Sequence, residues 1–176
     1  MTISKTTDKL KSLIHYIAYR CVDNPKALGA IKLNKVLWYA DQWAYLTTGN
    51  PITGATYLKK ANGPVCSEVM PAVHSLETED KVAVRRIGDG VSYLALTTPD
   101  MTGIDANELR VIEDAIQFVC HQHTAKSISD KSHDHIWKLA ELDEEIPMHA
   151  ILAGRLHEIT REDVDWARAQ LKGATA

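Results

Sequence analysis

The residues best suited to chemistry lie late in the chain. The run Asp130-Lys131-Ser132-His133-Asp134-His135 holds two imidazoles, three hydrogen-bonding oxygen side chains and a lysine. An imidazole oriented by a carboxylate is a common general base, so His133 with Asp130 or Asp134 is a candidate hydrolase pair. His121-Gln122-His123 and His133-Asp134-His135 also both spell H-x-H, a metal-chelate pattern. On a helix, residues two apart point about 200° away from each other. Neither pair makes a chelating face unless its backbone is extended, and no cysteine stands at metal spacing. A structural role accounts for His133 better, with its ring hydrogen-bonded near a helix start and flanking Trp137 in the core. The expectation is therefore no catalytic, cofactor or metal site.

Other familiar chemistry is missing from the sequence. There is no G-x-x-x-x-G-K-[ST] or G-x-G-x-x-G phosphate loop, no G-x-S-x-G elbow and no H-E-x-x-H helix. The three cysteines, Cys21, Cys66 and Cys120, are odd in number and far apart, which is not a disulfide framework. A net charge of -3 argues against a nucleic-acid-binding surface over the whole protein. No apolar run is long enough to span a bilayer and the first residues lack a signal-peptide core, so a soluble, cytoplasmic protein is expected. Glu141, Asp143, Glu144 and Glu145 form an acidic run at an expected helix C-terminus, where the helix dipole disfavours them and a cationic neighbour or partner would compensate. Lys59, Lys60, Arg85 and Arg86 would form a basic edge if their strands paired.

The element that must position everything else is the stretch 31–46, IKLNKVLWYADQWAYL. At 100° per residue, Leu33, Val36, Leu37, Ala40, Trp43 and Ala44 make one apolar face. Lys32, Asn34, Lys35, Asp41 and Gln42 fall on the opposite half. Trp38 and Tyr45 form a second stripe among those polar residues, facing either another helix or a partner.

Around this helix the periodicity predicts a mainly α, α+β fold: a helical bundle with a small antiparallel sheet of two to three strands. Thr7 caps a first helix carrying Leu10, Leu13, Ile14, Ile17, Ala18 and Cys21, which Asn24-Pro25 stops. Gly49 caps the central helix. A strand is predicted over 55–60, a turn at Asn62-Gly63-Pro64, a short helix opening near Ser67 or Pro71, and a hairpin over 81–97 around Gly88-Asp89-Gly90. Asp105 caps a helix with Leu109, Ile112, Ala115, Ile116 and Val119. Another starts at Ser127 or Ser129 and carries Ile136, Leu139 and Ala140 until Pro147. Thr160 caps a last one. With 176 residues and 45% hydrophobic composition, this is one domain with a core over about residues 7–172.

The order of these segments resembles a known family. KLNKVLWYAD at 32–41, then a strand and the tripeptide Gly63-Pro64-Val65, is similar to the Panacea domain of SocA-like antitoxins and related phage-associated proteins. Ser132-His133 with Trp137, and ITREDVDWA from Ile159, match later family segments. The family positions that carry over are Lys32, Leu33, Lys35, Leu37, Tyr39, Gly63, Pro64, Val65, His133 and Trp137. Trp38 stands where the family has leucine, and Ala61-Asn62 looks inserted. The resemblance implies an antitoxin that neutralises a cognate toxin by direct binding. The alternative it implies is an adaptor that delivers the toxin to a protease. Of a different class is the hydrolase using His133. An added helix-turn-helix for DNA binding has no spare segment to occupy. Partner contacts are expected at Trp38, Asp41, Tyr45, Lys59, Lys60 and Asn62.

Overall fold

The apolar repeat of the first helix does what its spacing dictates: Leu10, Leu13, Ile14, Ile17, Ala18 and Cys21 are all buried. The computed structural model describes residues 2–153. In it this helix, α1, runs Thr2–Arg20. It starts ahead of Thr7, the expected cap, because no glycine or proline interrupts the polar residues before it. A 3-10 turn at Pro25–Ala27 leads into α2, Ala30–Thr48. Gly49 ends α2 in the left-handed region (φ 77°), its N–H donating to the Tyr45 carbonyl at 2.8 Å. That bond satisfies one of the carbonyls a helix end leaves open.

The central helix packs against α1, both halves of the β structure and the later helices. Leu33, Val36, Leu37, Ala40 and Ala44 are buried on the expected face. Each large apolar side chain so buried contributes about 1.5–3 kcal/mol. The opposite half departs from expectation: Asn34, Lys35, Trp38 and Asp41 are buried too.

The β structure is two separate two-stranded hairpins rather than one sheet. In the first, β1 (Tyr57–Lys60) pairs antiparallel with β2 (Gly63–Cys66), so Gly63 and Pro64 of the expected Asn62-Gly63-Pro64 turn already belong to a strand. Proline is tolerated there for a specific reason. It stands opposite Lys59, whose N–H and carbonyl bond outward to the Glu144 carbonyl (2.8 Å) and Asp143 N–H (2.9 Å). This is a pair that needs no donor from Pro64. The second hairpin, β3 (Val82–Ile87) with β4 (Gly90–Ala95), matches the predicted span, and Gly88 turns it at φ 58°. Since β1 and β3 do not pair, Lys59 and Lys60 do not join Arg85 and Arg86 in a basic edge.

Helix α3, Val69–Thr78, carries Pro71 in its first turn, where a missing N–H costs nothing. Helix α4, Ala106–Ile116, opens with the predicted Asp105 cap. Asp105 accepts from the N–H of Asn107 and Glu108, and Glu108 accepts from the Asp105 N–H in return. A π-helical turn at Gln117–His121 follows. The single helix expected from Ser127 or Ser129 until Pro147 is two: α5, Ala125–Lys131, capped by Thr124, and α6, His135–Leu139, capped by Asp134. The Asp134 carboxylate takes the Trp137 N–H at 2.9 Å, starting a new helix instead of continuing the old one. Leu139, expected in the core, is largely exposed. Helix α7, Ala150–Ala153, follows Pro147. The helix expected from Thr160 lies outside the described residues. No helix among the described residues is long and apolar enough to cross a membrane.

Candidate functional site

The polar stripe of α2 is a clamp for the first hairpin. Asn34, Lys35, Trp38 and Asp41 stand at i, i+1, i+4 and i+7, one helical face. The Asn34 amide donates to the Ala30 carbonyl at 2.9 Å and accepts from the Cys66 N–H at 3.0 Å, fixing the end of β2. The Lys35 Nζ donates to the Pro64 carbonyl at 2.8 Å. Trp38 meets the Tyr57 ring edge-on, with centroids 5.0 Å apart. The Asp41 carboxylate accepts from the Thr53 N–H at 2.8 Å, from the Thr53 hydroxyl, and from the Tyr57 hydroxyl at 2.8 Å.

Burial makes these contacts costly to break. Asp41 is 0% exposed. Desolvation pushes its carboxyl above the usual carboxylate range, and the bonds from Thr53 and Tyr57 pull it back. Lys35 is 1% exposed, and burial lowers its ammonium to about 7. Burial, with the adjacent Asp41 charge, also raises the Tyr57 phenol well above its ordinary value. Gly63, at φ 94°, is where backbone and clamp come closest. A Cβ there would lie 2.1 Å from the Ser132 Oγ and 2.6 Å from the Lys35 Nζ. Only glycine fits both the angle and the space.

The other side of the hairpin rests on α5 and α6. The Ser129 hydroxyl donates to the Asn62 carbonyl at 3.1 Å, and the Ser132 hydroxyl to the Ser129 carbonyl at 2.7 Å. The Trp137 indole donates to the Lys60 carbonyl at 3.1 Å. His133 stacks flat on Trp137 with centroids 3.8 Å apart. The Lys59 Nζ sits 4.3 Å from the centre of the same indole and donates to the Ala140 carbonyl at 2.7 Å. Along the free edge of β1, the Ile146 N–H donates to the Tyr57 carbonyl at 2.7 Å. The acidic run thus lies beside β1, and Lys60 forms an ion pair with Asp143.

This geometry revises the expected contact residues. Trp38 and Asp41 are not available to a partner, because the hairpin covers them. Tyr45 is half-buried against the core. Lys59 is turned onto Trp137, whereas Lys60 and Asn62 reach the surface at the hairpin tip. Of the family positions, Leu33 and Leu37 are core, Lys32 donates to the Cys120 carbonyl at 3.1 Å, and Tyr39 packs on Trp43 and Phe118. Val65 stands opposite Leu58 in the hairpin.

Among the described residues no hydrogen bond joins the His133 ring to Asp130 or Asp134, so the hydrolase pair is not formed. The Asp134 carboxylate is spent on capping α6, and the His133 Nε2 is buried without a partner. Among the described residues, no group of three His, Cys, Asp or Glu side chains is placed to hold a metal ion. The sequence reading missed Thr53, Tyr57, Ser129 and Ser132 as members of the clamp. Their signal, a hydroxyl that can satisfy a buried carboxylate or carbonyl, is invisible until the partner is known.

The clamp coincides with a recognised domain. A family model described as "Antitoxin SocA-like, Panacea domain" matches residues 33–138, from the start of the α2 signature to just past Trp137. The matching segment from Ile159 lies beyond both the matched and the described residues. No curated protein and no solved structure matches the chain. With the match covering more than half of its length, the chain belongs to the Panacea-domain family of SocA-like antitoxins.

Proposed function

We propose that this protein is the antitoxin of a toxin–antitoxin pair and neutralises its cognate toxin by direct, steric binding. The observation that carries this reading is how the family signature is used. Lys35, Gly63, Pro64 and Trp137 hold a hairpin against a helix through backbone carbonyls and a tight approach, and none of them presents a reactive atom to solvent in that arrangement. A signature spent on scaffolding suits a protein whose work is done by the shape it presents. The family itself points to a non-catalytic role.

The experiment is co-expression with the product of the adjacent gene. The expected outcome is that the neighbour arrests growth alone, that this chain restores growth, and that the two co-purify as a complex. A neighbour harmless on its own would remove the basis for the reading. Rescue that disappears in protease-deficient cells, with toxin levels rising, would replace steric neutralisation with delivery to a protease.

A further inference from the structure

One surface of the molecule carries apolar area and charge that the fold does not use. Among the described residues, three of the eight large hydrophobic side chains left exposed, Leu139, Leu142 and Leu152, fall in the short stretch around α6 and α7. Leu139 is 69% exposed and Leu142 65%. Scattered single leucines would need no explanation, but Leu139, the most exposed of the three, lines a concavity. Between α6 and α7 lies a groove of about 180 Å³, with Ile136, Leu139, Ile146 and Pro147 in its wall. Glu144 and Glu145 stand at its rim.

The rim's charge is only partly compensated. Of the acidic run, Asp143 pairs with Lys60, and Glu144 accepts the Glu141 N–H at 2.6 Å. Glu141 and Glu145 have no ion pair among the described residues, and both are exposed. Lys59, whose Nζ donates to the carbonyl of the groove-lining Ala140, and the exposed Lys138 of α6 make no ion pair with the run among the described residues. Acidic side chains just past a helix C-terminus oppose its dipole, and among the described residues Glu141 and Glu145 gain no compensating ion pair there.

Resting on the antitoxin reading above, we infer that this groove is the anchor site for the toxin and receives a cationic segment that inserts one large apolar side chain. The size is wrong for a small-molecule site, since drug-sized ligands occupy clefts of roughly 300–1,000 Å³. It suits a single anchoring side chain of the kind that dominates protein interfaces. An anionic membrane surface would be repelled by the rim. A second copy docked symmetrically would bring acidic rim onto acidic rim. A basic amphipathic segment satisfies both the leucines and the glutamates.

The test uses the full chain and the purified toxin from the co-expression above. Leu139→Glu and the double variant Glu144→Lys/Glu145→Lys are each expected to weaken toxin binding by about tenfold or more, as loss of an interface anchor does. Charge reversal should act chiefly by slowing association and flattening its salt dependence. Thermal unfolding should be unchanged for Leu139→Glu, whose side chain is exposed, and only slightly lowered for the double variant, which loses the Glu144 bond from the Glu141 N–H. Wild-type protein that binds toxin, with both variants binding equally well, would overturn the groove and leave the antitoxin reading standing. Wild-type protein that binds no toxin would overturn both. A photo-crosslinker replacing Leu139 should capture the toxin. Capture of a second copy, or of residues 154–176 of the same chain, would assign the groove another occupant and overturn the inference.

Discussion

The two hairpins of this protein are built from opposite resources. The β3–β4 hairpin is local: two β-prone runs joined by a glycine turn, with Arg85, Arg86, Ile87, Asp89 and Gly90 exposed around the tip. Its anchorage to the body comes from buried Val82, Ser92 and Tyr93. The β1–β2 hairpin is shorter and has a proline in one strand, a poor hairpin by local rules. It is held instead by tertiary contacts on three sides: the α2 stripe, the α5–α6 platform and the strand-like segment 143–146. A hairpin that needs its surroundings becomes a register mark for the whole domain. Helix α2, the helices after Phe118 and the acidic segment all take their positions from it.

The comparison is broken most severely at Trp38. Truncation to alanine removes the largest fully buried side chain and the Tyr57 contact, and should cost about 3–5 kcal/mol. Denaturant unfolding measures this, and retention of wild-type stability would mean that Trp38 is not part of the clamp. Next is Gly63→Ala, expected to cost roughly 2–5 kcal/mol from the positive φ, the collision with Ser132 and the lost Ser132 or Lys35 hydrogen bond. Adding Ser132→Gly should recover part of that loss, which a purely conformational cost at Gly63 would not allow.

Lys35 sharpens the comparison through pH. Burial lowers its folded value to about 7 from an ordinary 10.5, so the unfolded chain binds more protons between those limits. The lysine's penalty is therefore full below about pH 7 and is relieved as pH rises toward 10.5. At about 1.4 kcal/mol per pKa unit the change across the window is a few kcal/mol. Lys35→Met should remove this slope. Unfolding curves of wild type and variant that stay parallel from pH 7 to pH 10 would show that the ammonium is hydrated. The smallest effect is expected in the other hairpin. Gly88→Ala meets open space and pays only for its positive φ, about 1 kcal/mol, and Gly88→Asn should cost less still. A Gly88→Ala loss as large as that at Gly63 would erase the distinction between the hairpins.

Much of the fold was legible from residue spacing. The apolar faces of α1, α2 and α4, the Gly49 and Asp105 caps and the 81–97 hairpin all follow from local chemistry. The break between α5 and α6 was not, because no glycine or proline separates Lys131 from His135 and Ile136 follows Ile128 at helical spacing. The competing preference, Asp134 as a cap, shows only in three dimensions. Of the expected contact residues, Lys60 and Asn62 reach the surface, while Trp38 and Asp41 do not.

The sequence by itself determined the mainly α character of the chain, the central place of 31–46 and, through KLNKVLWYAD and Gly63-Pro64-Val65, the family. Only the tertiary structure decided what the second stripe of that helix faces. A helical wheel shows that Trp38, Lys35 and Asp41 share a side, but not whether water or protein lies across from them. Here a hairpin supplies a carbonyl and a phenol, and the segment leading into it a threonine hydroxyl. Those partners make it possible to bury a lysine and an aspartate beside a tryptophan, and they come from residues 12 to 29 positions away in the chain.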